Sequence, residues 1–166
     1  HLQGHDHSVE MTEQEWTIFL NNLQKVIDIA DAEGLATSLH QHWGMAIERP
    51  HHIDRLLAES EVEFCLDTGH LFLGGADAVA VAKAAKGRVS HVHLKDVDGE
   101  MAEEVRSGRL PFRQSVIDGI FKPLGEGDID ISVSPDVFEL QEGEEVTLQI
   151  DVAPGSVPAG AWGRGA

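Results

Sequence analysis

Three short apolar runs in this sequence end in polar residues, and the ends recur at nearly equal intervals: His40 to Asp67 is 27 residues and Asp67 to His93 is 26. A connection of that length accommodates a helix and two loops between strands, so the strands it joins lie parallel. Their polar ends then gather along one edge of the sheet, where open α/β sheets and barrels carry their chemistry.

Local signals define the units. Thr12 and Glu15 make a capping box, Met11 is placed to staple against Trp16, and Trp16, Phe19, Leu20, Leu23, Ile27 and Ala30 recur at helical steps. This predicts an amphipathic helix ended by Gly34, followed by a short buried strand from Leu35 to Leu39 that runs into His40, Gln41 and His42. A second helix is expected from Pro50 to about Ser60, with Ile53, Leu56 and Leu57 facing inward, and a second strand from Val62 to Leu66. Asp67-Thr68-Gly69-His70 follows it, then a third helix from an Asp77 cap to Ala85, ended by Gly87. The strand Val89 to Leu94 carries His91 and His93 and is closed by Lys95-Asp96.

Beyond Asp98 the pattern weakens to a short helix between Phe112 and Phe121 and a glycine-rich turn from Pro123 to Asp128. From about Ser132 the period changes to two. Val137 and Glu139 precede a turn at Gly143, and Val146, Leu148, Ile150 and Val152 then alternate with polar residues, as in an exposed antiparallel hairpin. The tail from Ala153 to Ala166 has little to bury. The expected fold class is α/β: a partial (β/α) barrel over residues 1–131 with about three clear parallel β/α units, then a divergent antiparallel β segment over residues 132–166. A complete eightfold barrel typically needs about 250 residues, so 166 residues correspond to part of one, or to a part that another copy or chain completes.

Charge and cysteine content narrow the function classes. With 29 acidic and 12 basic residues the formal charge is −17, which disfavours binding to nucleic acid backbones or anionic membranes. One cysteine excludes an intrachain disulfide scaffold. The sequence shows neither a signal-peptide pattern nor an apolar run of membrane-spanning length, so a cytoplasmic location is expected. Dinucleotide-loop, Walker, Gly-x-Ser-x-Gly, His-Glu-x-x-His and paired Cys-x-x-Cys motifs do not occur.

His40, His42, Glu48, Asp67, His70 and His93 fall at or just beyond the predicted strand ends, with His91 two residues before the last. Imidazoles and carboxylates at three adjacent ends can surround one divalent ion, and a nitrogen and oxygen set suits manganese, cobalt, iron, magnesium or zinc. Residues two apart on a strand share a face, so one histidine of each pair, His40 with His42 and His91 with His93, can reach an ion or substrate while its neighbour supports it. The alternative is core or loop histidines held by backbone groups. Asp67, after an apolar run, must be solvent-facing, paired or metal-bound, or else it caps a helix. Lys95 can polarise a substrate oxygen or form a solvated ion pair with Asp96. His51 and His52 are expected at the surface, His1, His5 and His7 in a polar leader, and Cys65 as core filling.

Leu39-His40-Gln41-His42-Trp43-Gly44-Met45-Ala46-Ile47-Glu48, Cys65-Leu66-Asp67-Thr68-Gly69-His70 and His91-Val92-His93-Leu94-Lys95-Asp96, in that order, resemble the xylose isomerase-like TIM barrel superfamily. Within it the sequence is most similar to inosose dehydratases and related sugar isomerases and epimerases of inositol breakdown. Phe121-Lys122-Pro123-Leu124-Gly125-Glu126-Gly127-Asp128 resembles the segment before a late barrel strand, and the likeness covers about residues 12–131. The resemblance implies a divalent ion, Mn2+ or Co2+ first and Mg2+, Fe2+ or Zn2+ after them, held by two glutamates, an aspartate and a histidine. Glu48, Asp67 and His93 match three of these ligands, with His40 and His91 as alternatives. The last glutamate has no counterpart, because Glu139 stands in a segment of the wrong period. His70 matches the substrate-contacting histidine, and His42 and Lys95 complete the catalytic candidates.

The implied activity is a metal-dependent lyase that removes water from a keto-inositol. A second reading is a sugar isomerase or epimerase working through the same enediolate, and a third is an inactive fragment or structural metal-binding subunit, its Ser134-to-Val152 hairpin serving as an interaction strand. The implied partners are a small polyol or keto-sugar, no nucleic acid, no membrane, and a second copy or separate chain supplying the missing barrel half.

Overall fold

A computed structural model describes residues 10–134 and 149–153. His1, His5 and His7, the hairpin positions Val137, Glu139, Gly143, Val146 and Leu148, and the tail from residue 154 lie outside the described residues.

Helix α1 (Glu13–Ala32) begins in the expected capping box: the Glu15 N–H donates to Thr12 Oγ1 at 3.3 Å and the Thr12 N–H to Glu15 Oε2 at 2.8 Å. Its apolar stripe buries Trp16, whose indole N–H donates to Glu59 at 2.8 Å. Gly34, at φ 72°, closes the helix, and the Leu35 N–H turns back to the Ala30 carbonyl at 2.9 Å. That closure corrects the first strand. Leu35 belongs to the end of α1 and is 62% exposed, so β1 is only Ser38–His40, and its place at the sheet edge leaves it half-open rather than buried.

Helix α2 (Pro50–Glu59), strand β2 (Glu63–Asp67), helices α3 (Thr68–Gly74) and α4 (Ala78–Ala84), and strand β3 (Val89–His93) follow. The sheet is parallel throughout, in the order β1-β2-β3, with His40 opposite Cys65 and Asp67 opposite His93. Cross-strand partners share a face. Leu39, Phe64, Leu66 and Val89 pack with Trp16, Ile53, Leu56 and Val81 in a core between the sheet and α1, α2 and α4. His40, Cys65, Asp67, His91 and His93 therefore belong to the other face.

Two helices escape the sequence reading. In α3 all seven residues are buried, so no polar face marks it. In α5 (Gly99–Arg106), capped by Asp98, only Ala102 and Val105 are buried, too few for a visible stripe. The chain continues through α6 (Phe112–Ile117), while β4 (Asp96–Val97) pairs antiparallel with β5 (Phe121–Lys122). A second core joins Trp43, Phe72, Leu73, Val97, Ala102, Val105, Ile120, Ile129 and Ile131. Strands β6 (Ile131–Ser134) and β7 (Gln149–Val152) pair antiparallel, as the period-two pattern predicts for these ends, and Val152 packs against the second core.

Candidate active site

Asp67 is the centre of the site. As the last residue of β2 it is also the cap of α3, its Oδ1 accepting the His70 N–H at 3.0 Å. Its Oδ2 is met by His40 Nε2 at 3.0 Å from β1, by His93 Nδ1 at 3.1 Å from β3, and by the Lys95 ammonium just beyond β3. The helix-cap alternative and the paired-carboxylate reading are both realised, on different oxygens. Asp67 has no exposed surface. Burial works to raise its pKa, but the Lys95 ammonium and the His70 N–H outweigh it and hold the carboxyl at about 2.

An ionised Asp67 only accepts, so His40 Nε2 and His93 Nδ1 both carry protons and donate to it, leaving one unprotonated nitrogen on each neutral ring. His42 Nδ1 donates to the Trp43 carbonyl at 2.7 Å, which leaves its Nε2 as the free nitrogen of the neutral ring. His70 is reversed: its Nδ1 accepts the Trp43 N–H at 3.5 Å, so Nε2 carries the proton. Burial pushes the His70 pKa down to about 3, despite the favourable charge of Asp67, and the ring is neutral near pH 7. Burial also lowers the His40 pKa, against the pull of Asp67. The rings of His42 and His70 lie 3.6 Å apart, centroid to centroid, with Phe112 and Phe121 beside His70 at 6.3 and 6.1 Å. A cleft of about 440 Å³, lined in part by His40, His42 and Ile47, opens beside this group.

The remaining candidates have different surroundings. Glu48 is 1% exposed, its Oε2 accepts the Gly44 N–H at 2.6 Å, and its Oε1 lies 3.6 Å from Arg49 Nε. Among the described residues it belongs to none of the groups whose ligand atoms converge, which are His40, Asp67 and His70; His40, Cys65 and His93; and Glu10, His51 and His52. His91 is exposed, its ring 5.2 Å from that of His93. His51 is exposed as expected, but His52 is 5% exposed and corrects the surface expectation. Its Nδ1 accepts the Glu48 and Arg49 N–H groups at 3.4 and 3.2 Å, holding the start of α2, while Nε2 donates to Glu10 at 3.1 Å. With Nδ1 already accepting, Nε2 must keep its proton in a neutral ring, so this third group is a poor metal site.

Several supporting residues went unrecognised in the sequence. The Thr68 hydroxyl accepts the Lys95 N–H at 2.9 Å and donates to the Lys95 carbonyl at 2.7 Å, fixing the backbone that carries the ammonium. Gln41 Nε2 donates to the Asp67 carbonyl at 3.2 Å. Asp96, fully buried, accepts the N–H groups of Val97, Gly125, Gly127 and Ile129 at 2.9 to 3.0 Å. The one available signal for Asp96 was the Gly125-Glu126-Gly127 turn, whose small residues allow backbone N–H groups to approach a carboxylate. Lys95 pairs with Asp67 rather than with Asp96.

The donors around Asp67 fit a divalent cation: a buried anionic oxygen and imidazoles from neighbouring strands form a mixed nitrogen and oxygen set of the kind such ions take. A parallel sheet with polar side chains gathered at the carboxyl ends of its strands has the arrangement of one part of an α/β barrel. The sequence comparisons agree. The model of a family described as xylose isomerase-like TIM barrel matches residues 1–144, and the chain belongs to that family. The inosose dehydratase of Geobacillus thermodenitrificans is 38% identical over 122 residues, covering 72% of this chain and 41% of that protein. An inosose dehydratase of Clostridium perfringens is 38% identical over 123 residues, again 72% and 41%, and that of Salmonella typhimurium is 31% identical over 122 residues, 72% and 40%. The chain thus spans about two fifths of the length of these relatives.

Proposed function

We propose that this chain forms the ion- and substrate-holding part of a metal-dependent lyase that removes water from a keto-inositol. The observation that carries the reading is Asp67, a fully buried carboxylate on which donors from two other strand ends and an ammonium converge; the relatives named inosose dehydratase supply the substrate class. In this reading Mn2+ or Co2+ is held by Asp67 and His93, with Glu48 as a third ligand and His40 and His91 as alternatives. A divalent ion held there would supply Lewis-acid polarisation of the substrate's ketone and adjacent hydroxyl, which would acidify the neighbouring carbon-bound proton.

The protein's own groups divide the proton work. The free Nε2 of His42 is the base, since the Trp43 carbonyl holds the proton on the other nitrogen. His70, kept neutral by burial, presents Nε2–H as a hydrogen-bond donor to a substrate oxygen. Lys95 stabilises negative charge developing on oxygen, with its backbone held in place by Thr68. Phe112 and Phe121 flank His70, which is itself buried.

Elemental mass spectrometry of extensively dialysed protein, wild type against the combined Asp67→Ala and His93→Ala variant, tests the site. About one tightly held ion per chain, lost in the variant, is expected. The same content in both proteins, or none in either, removes Asp67 and His93 as ligands and the lyase reading with them.

A further inference from the structure

His40 and Cys65 are register partners on β1 and β2, and His93 lies on β3 on the same face of the sheet. Each presents a ligand atom, an imidazole nitrogen or the Cys65 sulfur, and the three atoms all lie within 4.8 Å of one another. We propose that His40, Cys65 and His93 form a thiolate-containing metal position, overlapping the Asp67 position, that takes a thiophilic divalent ion such as Zn2+, Co2+ or Cd2+.

The physical case rests on what each group is already doing. Asp67 Oδ2 engages one nitrogen of His40 and one of His93, and both rings keep a second nitrogen with a lone pair. A ring that ligates through that second nitrogen retains its hydrogen bond to Asp67, which gives the carboxylate–histidine–metal arrangement that orients metal-bound imidazoles. Lys95 occupies the same Asp67 oxygen, so an ion arriving at that oxygen must displace an ammonium, whereas an ion on His40, Cys65 and His93 has only to tolerate that ammonium's charge nearby. Tetrahedral sites place sulfur and nitrogen donors roughly 2.0–2.3 Å from the ion. Closing the group to that size requires small ring rotations. Both rings have room for them, with 31% and 40% of their side-chain surface exposed. Binding replaces the thiol proton of Cys65 by the metal, releasing one proton to solvent. The two donor sets then separate Mn2+, which prefers oxygen and nitrogen, from Zn2+ and Cd2+, which take sulfur, while Co2+ is borderline and its absorption reports which set it occupies. The position shares His93 with the proposed lyase site but does not require the lyase activity.

The test is titration of the full chain with Co2+ in the presence of a phosphine reductant, followed by absorption. Cys65 is the only cysteine in the sequence, so any thiolate-to-cobalt charge-transfer band belongs to it. A band saturating at one Co2+ per chain is expected, absent in Cys65→Ser, and retained in His40→Gln with the apparent Kd raised at least roughly tenfold. Far-ultraviolet circular dichroism reports whether the variants fold, and the His40→Gln titration decides the matter if Cys65→Ser does not. Bound Co2+ with no charge-transfer band in wild type overturns the proposal, as does an unchanged Kd in His40→Gln. Mn2+ retention, measured separately by electron paramagnetic resonance, reports on the Asp67 position: its failure with the cobalt band intact overturns the lyase reading alone.

Discussion

At 4% exposure and stacked on His42, His70 takes up a proton far less readily in the folded chain, at about 3, than the 6.5 of a free imidazole. Because the folded value is depressed, the unfolded chain binds the proton first as pH falls. The contribution is fully present above 6.5 and is lost between 6.5 and about 3. His40 and His52, also lowered by burial, add to the loss as pH falls below the 6.5 of a free imidazole. Asp67 titrates lower: its carboxyl is held at about 2 against 3.8, so its contribution is intact at pH 5 and disappears only as pH falls through about 2. Urea unfolding should therefore show a loss on the order of 1–2 kcal/mol between pH 7 and pH 5, and His70→Asn should lose less over the same interval. An equal loss in the variant would show that His70 is not the titrating group.

Just beyond β3, the Asp96 side chain ties the chain to the 125–129 turn that borders the second core. Its two oxygens accept four backbone N–H groups, three of them from the 125–129 turn, and a Cβ at Gly127 would overlap Oδ1. Asp96→Asn replaces one accepting oxygen by an amide that points donors at donors. It should destabilise the chain by about 2–3 kcal/mol, read as a lower urea midpoint at unchanged slope; a change within experimental error would mean that the turn holds its shape without the carboxylate. This element also shows what the sequence discloses and what it does not. The capping box at Thr12, the Asp77 cap, the strand of Val89 and the 26-residue interval are local or periodic signals, and each is where the sequence places it. The meeting of Asp67, His70 and His93 was legible because strand ends of a parallel sheet gather along one edge; the pairing of Lys95 with Asp67 was not. Helix α3 was not, since full burial erases its polar face, and neither were Thr68 and Asp96, whose bonds to Lys95 and the 125–129 turn span 27 to 33 residues.

On the scale of the molecule, the sheet has no closure among the described residues: β1 and β3 each pair on one side only. Beside the β3 edge lies a cleft of about 500 Å³ lined by Leu66, Val79, Val92 and Leu94, and Val92 itself is 47% exposed. Beside β1 lies the cleft that reaches Phe19, Leu39 and Met45, the last 61% exposed. Unpaired parallel edges flanked by apolar surface favour association with another strand. The chain spans about two fifths of the length of its relatives, and in a closed barrel every such edge is paired. Opposing this, the chain carries a net charge of −17, whose repulsion weakens as salt screens it. The chain on its own should therefore self-associate with rising concentration, and more steeply at high ionic strength than at low. Sedimentation equilibrium over a concentration and salt series reads this directly, and Val92→Lys, which puts a charge at the open edge, should return the mass toward that of one chain. A monomer throughout the series would mean that both edges are already protected in solution, and a Val92→Lys variant that associates as before would place the contact elsewhere than β3.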